Sequence, residues 1–163
     1  MPNWCSNTVT LTHGNPTMIA RVEKAFSKGI MLAEFFPAPL DTDWYSWNTS
    51  EWGTKWDVGS EDGINSVTED SISLWFDSAW SPPVAAYEKF EALGFVVKAM
   101  YYEPGVGFAG VYQDGYDDCY DLTDMDSEAV RDTLPEELDS EFGISEQMAD
   151  WEDEQDPDED SAT

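Results

Sequence analysis

Ser71-Ile72-Ser73-Leu74-Trp75-Phe76, followed by Ser81-Pro82-Pro83 and the run Phe95 to Tyr102, is the stretch on which the fold turns. Ile72, Leu74 and Phe76 alternate with polar or amphipathic neighbours, the period-two pattern of a half-buried strand. Ser81-Pro82-Pro83 opens a helix, since proline is pre-organised for a first helical turn. Val84, Tyr87, Phe90 and Leu93 then form one stripe at helical spacing, and Gly94 ends it. Phe95 to Tyr102 is a strand, rich in Val and Tyr. Glu103-Pro104-Gly105 turns the chain, Val106 to Tyr112 returns as a hairpin partner, and Tyr116 to Leu122 adds a short edge strand.

Working outward, Thr8 to His13 is β-branched and alternating, a strand with Val9 and Leu11 inward. Gly14-Asn15-Pro16 turns the chain into a helix carrying Ile19, Val22, Ala25 and Phe26, stopped by Gly29. Ile30 to Phe36 is a second apolar run, closed by Pro37 and Pro39, and it takes the second strand's place in the order. A polar, Trp-rich stretch follows to about Asp70. Strand, helix, strand, strand, helix, strand is the split β-α-β order, so the expected fold class is α+β, ferredoxin-like, with two helices on one face of the sheet.

Charge divides the chain. The net charge is −28 over 163 residues, and Asp114 to Thr163 holds 21 carboxylates against a single base, Arg131. The other 113 residues hold 14 acids and six bases. Such a surface repels nucleic acid and anionic lipid and attracts basic proteins. The expected organisation is a ferredoxin-like domain over 1–122 and an acidic extension over 123–163. In the extension, Thr133-Leu134-Pro135-Glu136 reads as a capping box for a helix that Gly143 ends. Ser145 caps another short helix with Met148 and Trp151. Beyond Trp151, Glu152 to Asp160 carries no apolar residue and is expected to be disordered. Leu134, Leu138, Phe142, Ile144, Met148 and Trp151 give the helical part a means of docking.

No apolar run reaches the roughly 18 residues of a membrane span, and the N-terminus lacks the regions of a signal peptide. A cytoplasmic location is expected, with Cys5 and Cys119 as two free thiols. His13 is the only histidine, so no His-based triad can be assembled. Asp124, Asp126 and Glu128 alternate like calcium ligands, but Ala129 and Pro135 stand where the loop needs glycine and a bidentate Glu. No metal, cofactor or catalytic residue is expected.

Four segments, Asn3-Trp4-Cys5-Ser6-Asn7, Glu51-Trp52-Gly53-Thr54-Lys55-Trp56-Asp57, Phe76-Asp77-Ser78-Ala79-Trp80-Ser81-Pro82-Pro83 and Glu103-Pro104-Gly105-Val106-Gly107-Phe108-Ala109-Gly110, stand in an order that resembles the YubB-like, or Api92-like, ferredoxin-like family. The likeness spans about Met1 to Tyr112 and leaves the acidic end outside. It implies a protein of bacteriophages or conjugative plasmids acting in a bacterial cytoplasm, and supplies no catalytic residues.

Three functional classes follow. In the first, the acidic end imitates a phosphate track and binds a basic, nucleic-acid-handling host protein, a nuclease or a DNA-binding defence component. Duplex DNA carries one charge per about 1.7 Å of axis, whereas acids at four-residue spacing on a helix offer one per about 6 Å. Two short helices and a flanking loop are therefore needed, and the candidate contacts are Asp124, Asp126, Glu128, Asp132, Glu136, Asp139 and Glu141. In the second, the Trp-rich segment 44–80 forms a small-molecule or carbohydrate-binding module, or an enzyme, with Trp52, Trp56 and Trp80 around Asp57 or Asp77. The competing reading is that these rings only plug the side of the sheet. Lys55 is read as an internal partner of Asp57 or Glu51. A third class, an adaptor whose tail serves solubility alone, stands beside both.

Overall fold

The computed structural model describes residues 3–155, and over them the chain is α+β. At its centre β1 (Trp4–Thr12) pairs antiparallel with β3 (Ser71–Ala79) on one side and β4 (Val96–Glu103) on the other. Adding β2 (Ile64–Val67), β5 (Phe108–Gln113) and β6 (Tyr116–Asp121) gives an open six-stranded antiparallel sheet in the order β2-β3-β1-β4-β5-β6. The β5–β6 hairpin closes through Asp114-Gly115, both at positive φ. Such Asp-Gly loops match the twist of antiparallel strands.

One face of the sheet carries the larger core. Val9, Leu11, Ile72, Leu74, Phe76, Val97, Ala99 and Tyr112 point to it. Against them pack α1 (Pro16–Ser27), through Ile19, Val22 and Phe26, and α4 (Val84–Ala92), through Ala86, Tyr87 and Phe90. Asn15 caps α1 by accepting from the Thr17 N–H at 3.0 Å. Leu93, expected on the α4 stripe, lies just past the helix and is exposed. The same face buries a polar cluster beside Cys5. Asn7 Nδ2 donates to the Cys5 carbonyl and to Ser78 Oγ at 2.9 and 2.8 Å, and burial pushes the Cys5 thiol up to about 12. Glu103, 1% exposed, folds the next turn by accepting the N–H groups of Gly105 and Val106 at 2.6 and 2.7 Å.

The run Ile30 to Phe36 is a helix, α2 (Met31–Phe35), where the sequence order called for a strand. Its reason lies 25 residues away. The Asp57 carboxylate accepts the N–H groups of Leu32 and Ala33 at 2.7 and 2.9 Å, capping the first turn from outside the segment. The second strand comes instead from the polar stretch, as β2, which contributes no fully buried side chain and is interrupted by a bulge between Ile64 and Ser66. A four-residue helix, α3 (Trp44–Trp47), runs into a π-helical turn (Asn48–Trp52), and Gly53 at φ 87° ends it.

The acidic segment folds as three helices, α5 (Ser127–Thr133), α6 (Glu136–Phe142) and α7 (Ile144–Gln155), one more than expected. Thr133 ends α5 instead of opening a capping box, and Pro135 precedes α6 with no side-chain cap. Gly143, at φ 60°, does end α6. Ser145 sits inside the first turn of α7, and the helix runs on through Glu152 to Gln155, where disorder was expected. The rest of that expected disordered stretch, from 156, lies outside the described residues. Val130, Leu134, Leu138 and Ile144 are at most 5% exposed and share a second core with Met100, Ala109 and Leu122 on the opposite face of the sheet; Phe142 and Met148 pack at its edge, while Trp151, expected to dock, is exposed. The change of composition at 122/123 is therefore no gap in packing: Leu122 belongs to the core that the acidic helices close.

Candidate functional site

Two surfaces concentrate chemistry, and both lie on the sheet face that α5–α7 cover only in part. Register places Trp4, Ser6, Thr8 and Thr10 of β1 on the same face as Ala79, Asp77, Trp75 and Ser73 of β3. It also sets Thr8 opposite Met100, which lies under the acidic helices. The helices roof β4 to β6, and the β1–β3 half stays open.

The first surface is the acidic roof itself. Of 17 carboxylates between Asp114 and Glu154, all but Asp139 and Glu152 are exposed. Among the described residues only Glu137 of these pairs with a base, Lys98, at 2.8 Å. Folding sorts the candidate contacts. Asp132, Glu136 and Glu141 are exposed on α5 and α6, as are Glu128 in the first turn of α5 and Asp124 just before it. Asp126 caps α5, accepting from the Ala129 N–H at 2.8 Å, while remaining exposed. Asp139 is used internally, accepting the Ser145 N–H and hydroxyl at 2.7 and 2.6 Å. Glu128, Asp132, Glu136 and Asp139, three or four residues apart in sequence, do not form one helix face, because α5 ends at Thr133 and the chain turns through extended Leu134 and Pro135 before α6. The negative charge is spread over three short helices and the β6 edge, where Asp117, Asp118 and Asp121 add to it.

The second surface is aromatic. Of the six Trp residues between 44 and 80, Trp44, Trp56, Trp75 and Trp80 are 39–53% exposed, so the rings do more than plug the sheet. Trp52 does plug it: the ring is 5% exposed and its Nε1 donates to the Phe36 carbonyl at 2.9 Å. A concave cleft of about 390 Å³ lies beside β3, lined by Trp4, Trp56, Trp75, Asp57 and Asp77. Trp56, Asp57 and Asp77 were legible candidates. Trp52 and Trp80 lie elsewhere, and Trp4 and Trp75 take their places. Trp4 and Trp56 hold their ring centroids 5.8 Å apart at 38°. Pairing of β1 with β3 brings Trp4 and Trp75 to one face across more than seventy residues of chain, and no local spacing announces that.

The two carboxylates differ in role. Asp57 is committed to the α2 cap and to the Val58 N–H at 2.8 Å, and burial raises its pKa despite those three donors. Asp77 is exposed, and the Ser6 hydroxyl donates to it at 3.3 Å. Lys55 pairs with neither Asp57 nor Glu51. Glu51 holds Lys89, and the Lys55 ammonium lies over the rings of Trp56 and Trp80, 4.6 and 4.9 Å from their centroids. A smaller polar groove of about 220 Å³ lies between the aromatic cleft and α6, floored by Thr8, Thr10 and Ser73 and walled by Lys98, Glu137 and Glu141. Comparisons with family models, with curated proteins and with solved structures found no match to this chain.

Proposed function

We propose that this protein is a non-enzymatic interaction protein whose acidic helices occupy the basic, nucleic-acid-binding surface of a partner protein. The observation that carries the reading is the docking of α5–α7 on the sheet through Val130, Leu134, Leu138 and Ile144. A flexible acidic tail makes diffuse charge contacts. Helices anchored by a shared core hold Asp132, Glu136 and Glu141 at set positions, which is what imitation of a phosphate track requires. The spread over separate helices supports this, because a single row at about 6 Å spacing is too sparse to stand for a duplex. With almost no bases among them, the exposed carboxylates leave their field uncompensated, which speeds capture of a basic partner.

The sheet supports the companion reading of the fold. The order β2-β3-β1-β4, with α1 and α4 packed on one face, supports a ferredoxin-like reading of those four strands, which β5 and β6 then extend. With the four motifs of the YubB-like, or Api92-like, family, that order favours a phage- or plasmid-borne protein acting in the bacterial cytoplasm. The partner is then a host nuclease or a DNA-binding defence component, and the outcome is inhibition of host defence. Habitat enters that last step by association.

Capture from a bacterial lysate on the immobilised chain, at low and moderate salt, tests the proposal. The expected result is one or more basic nucleic-acid-binding proteins, released by salt because exposed charges are screened over about 8–10 Å, and displaced by duplex DNA. Capture of nothing at either salt, or capture that duplex DNA leaves untouched, overturns it.

A further inference from the structure

We propose that the aromatic cleft seats an arginine side chain of the basic partner, its guanidinium stacked on the indoles and held by Asp77. The inference rests on the functional reading above and names a contact outside the acidic helices.

The cleft selects for a planar cation in three ways. Its aromatic walls, Trp4, Trp56 and Trp75, are 46%, 39% and 44% exposed, which offers ring faces to a ligand instead of to the core. An indole face is the strongest cation-binding surface among the aromatic side chains. Its charged lining is acidic throughout, with no Lys or Arg among the lining residues. Asp57 is consumed by three backbone N–H groups, so Asp77 is the carboxylate left to meet a ligand. Anions are excluded by Asp77 and by the net charge of −28. A neutral sugar would gain stacking but nothing from the field.

Among cations, the donor set discriminates. A quaternary ammonium cannot hydrogen-bond to Asp77, and a lysine ammonium is compact and strongly hydrated. A guanidinium stacks flat on indole and presents a fork that matches a carboxylate. One of these rings already carries a cation, since the Lys55 ammonium, itself not a lining group, lies 4.6 Å from the Trp56 centroid. The volume of about 390 Å³ falls within the range of small-ligand sites, about 300–1,000 Å³.

The surroundings point to a protein as the source of the arginine. Beside Trp75, through its cross-strand neighbour Thr8, lies the polar groove walled by Glu141 and by Glu137, which pairs with Lys98 at 2.8 Å. A segment bearing the arginine would lie along the open β1–β3 half, with the exposed Glu141 of α6 beside it.

The test follows the indole N–H signals of the ¹⁵N-labelled full chain by NMR at constant ionic strength. The probes are acetyl-Gly-Arg-Gly-amide, its Lys counterpart, agmatine and cellobiose. The arginine peptide is expected to shift Trp4, Trp56 and Trp75 saturably, and the Lys peptide to bind at least about fivefold more weakly. Asp77→Asn, at an exposed position, should keep the wild-type melting temperature and weaken the arginine peptide by at least about fivefold. No shift of those three indoles, equal binding of the Lys peptide, an unaffected Asp77→Asn or a preference for cellobiose overturns the assignment. Agmatine binding more tightly than the peptide overturns a protein source. A peptide this short does not reach α5, so its failure is distinguishable from failure of the lysate capture.

Discussion

Glu152 in α7 closes the N-terminus of α5: its two carboxylate oxygens accept the Ser127 N–H and hydroxyl at 2.8 and 2.7 Å, across 25 residues. The same arrangement recurs between Asp139 and Ser145, at 2.7 and 2.6 Å. In each case a carboxylate satisfies a backbone N–H in the first turn of a helix, where the helix dipole favours negative charge. Asp126 caps α5 while staying exposed, whereas Asp139 and Glu152 are the two acids of the segment that are not exposed.

Glu152→Ala should loosen α5 from α7. Loss of a cap costs about 0.5–2 kcal/mol. Urea unfolding should register that loss, and amide exchange should quicken at Ser127 ahead of the sheet.

Asp139→Asn and Glu141→Gln each remove one charge from α6, yet their effects should separate. Asp139→Asn should cost about 1 kcal/mol through the Ser145 N–H and hydroxyl. Glu141 is exposed and holds no hydrogen-bonded partner among the described residues, so Glu141→Gln should leave stability within about 0.5 kcal/mol. In binding the order should reverse: replacing Asp132, Glu136 and Glu141 together by Asn or Gln should slow association with a captured basic partner and flatten its salt dependence. Unchanged kinetics would assign the acidic helices to solubility.

Removing residues 124–163 should not leave a stable domain, contrary to the expectation that the charge boundary suggests. It would strip Val130, Leu134, Leu138 and Ile144 from Met100, Ala109 and Leu122. Burial of each aliphatic chain is worth about 1.5–3 kcal/mol, so together they rival the whole stability of a typical domain, about 5–15 kcal/mol. The truncated chain should bind a hydrophobic dye and lose its cooperative melt. Leu138→Ala in the full chain, at 0% exposure, should cost about 2–5 kcal/mol.

Asp57 should leave a signature in pH. Burial raises its pKa in the folded state despite three N–H donors, so the folded chain holds that proton to a higher pH than the unfolded chain. Its linked contribution is fully present below the unfolded value, about 3.9, and is lost as pH rises through the raised native value. Asn is uncharged in both states. The stability difference between wild type and Asp57→Asn should therefore shift against wild type as pH rises from about 4 to 7, as read by chemical denaturation. A difference flat in pH would show that the three donors cancel the burial.

Much of this architecture is written locally. Alternation in Ser71 to Phe76 and in Thr8 to His13, proline at the start of α1 and glycine at the end of α6 each report on backbone geometry within a few residues, and the structure places strands and helices there. The concentration of charge at one end is likewise a property of composition. Ile30 to Phe36 marks where local reading stops: apolar and short, it suits a strand or a helix, and the Asp57 carboxylate, arriving from a distant loop, makes it a helix. Nothing near Asp139 distinguishes it from Glu141 either; which acid caps and which faces solvent depends on where α7 returns. The aromatic cleft is the clearest case. Trp4 and Trp75 stand more than seventy residues apart in sequence, and only the β1–β3 register sets them on one open face beside Asp77. Periodicity decides which side of an element is apolar, but long-range pairing decides which elements share a surface.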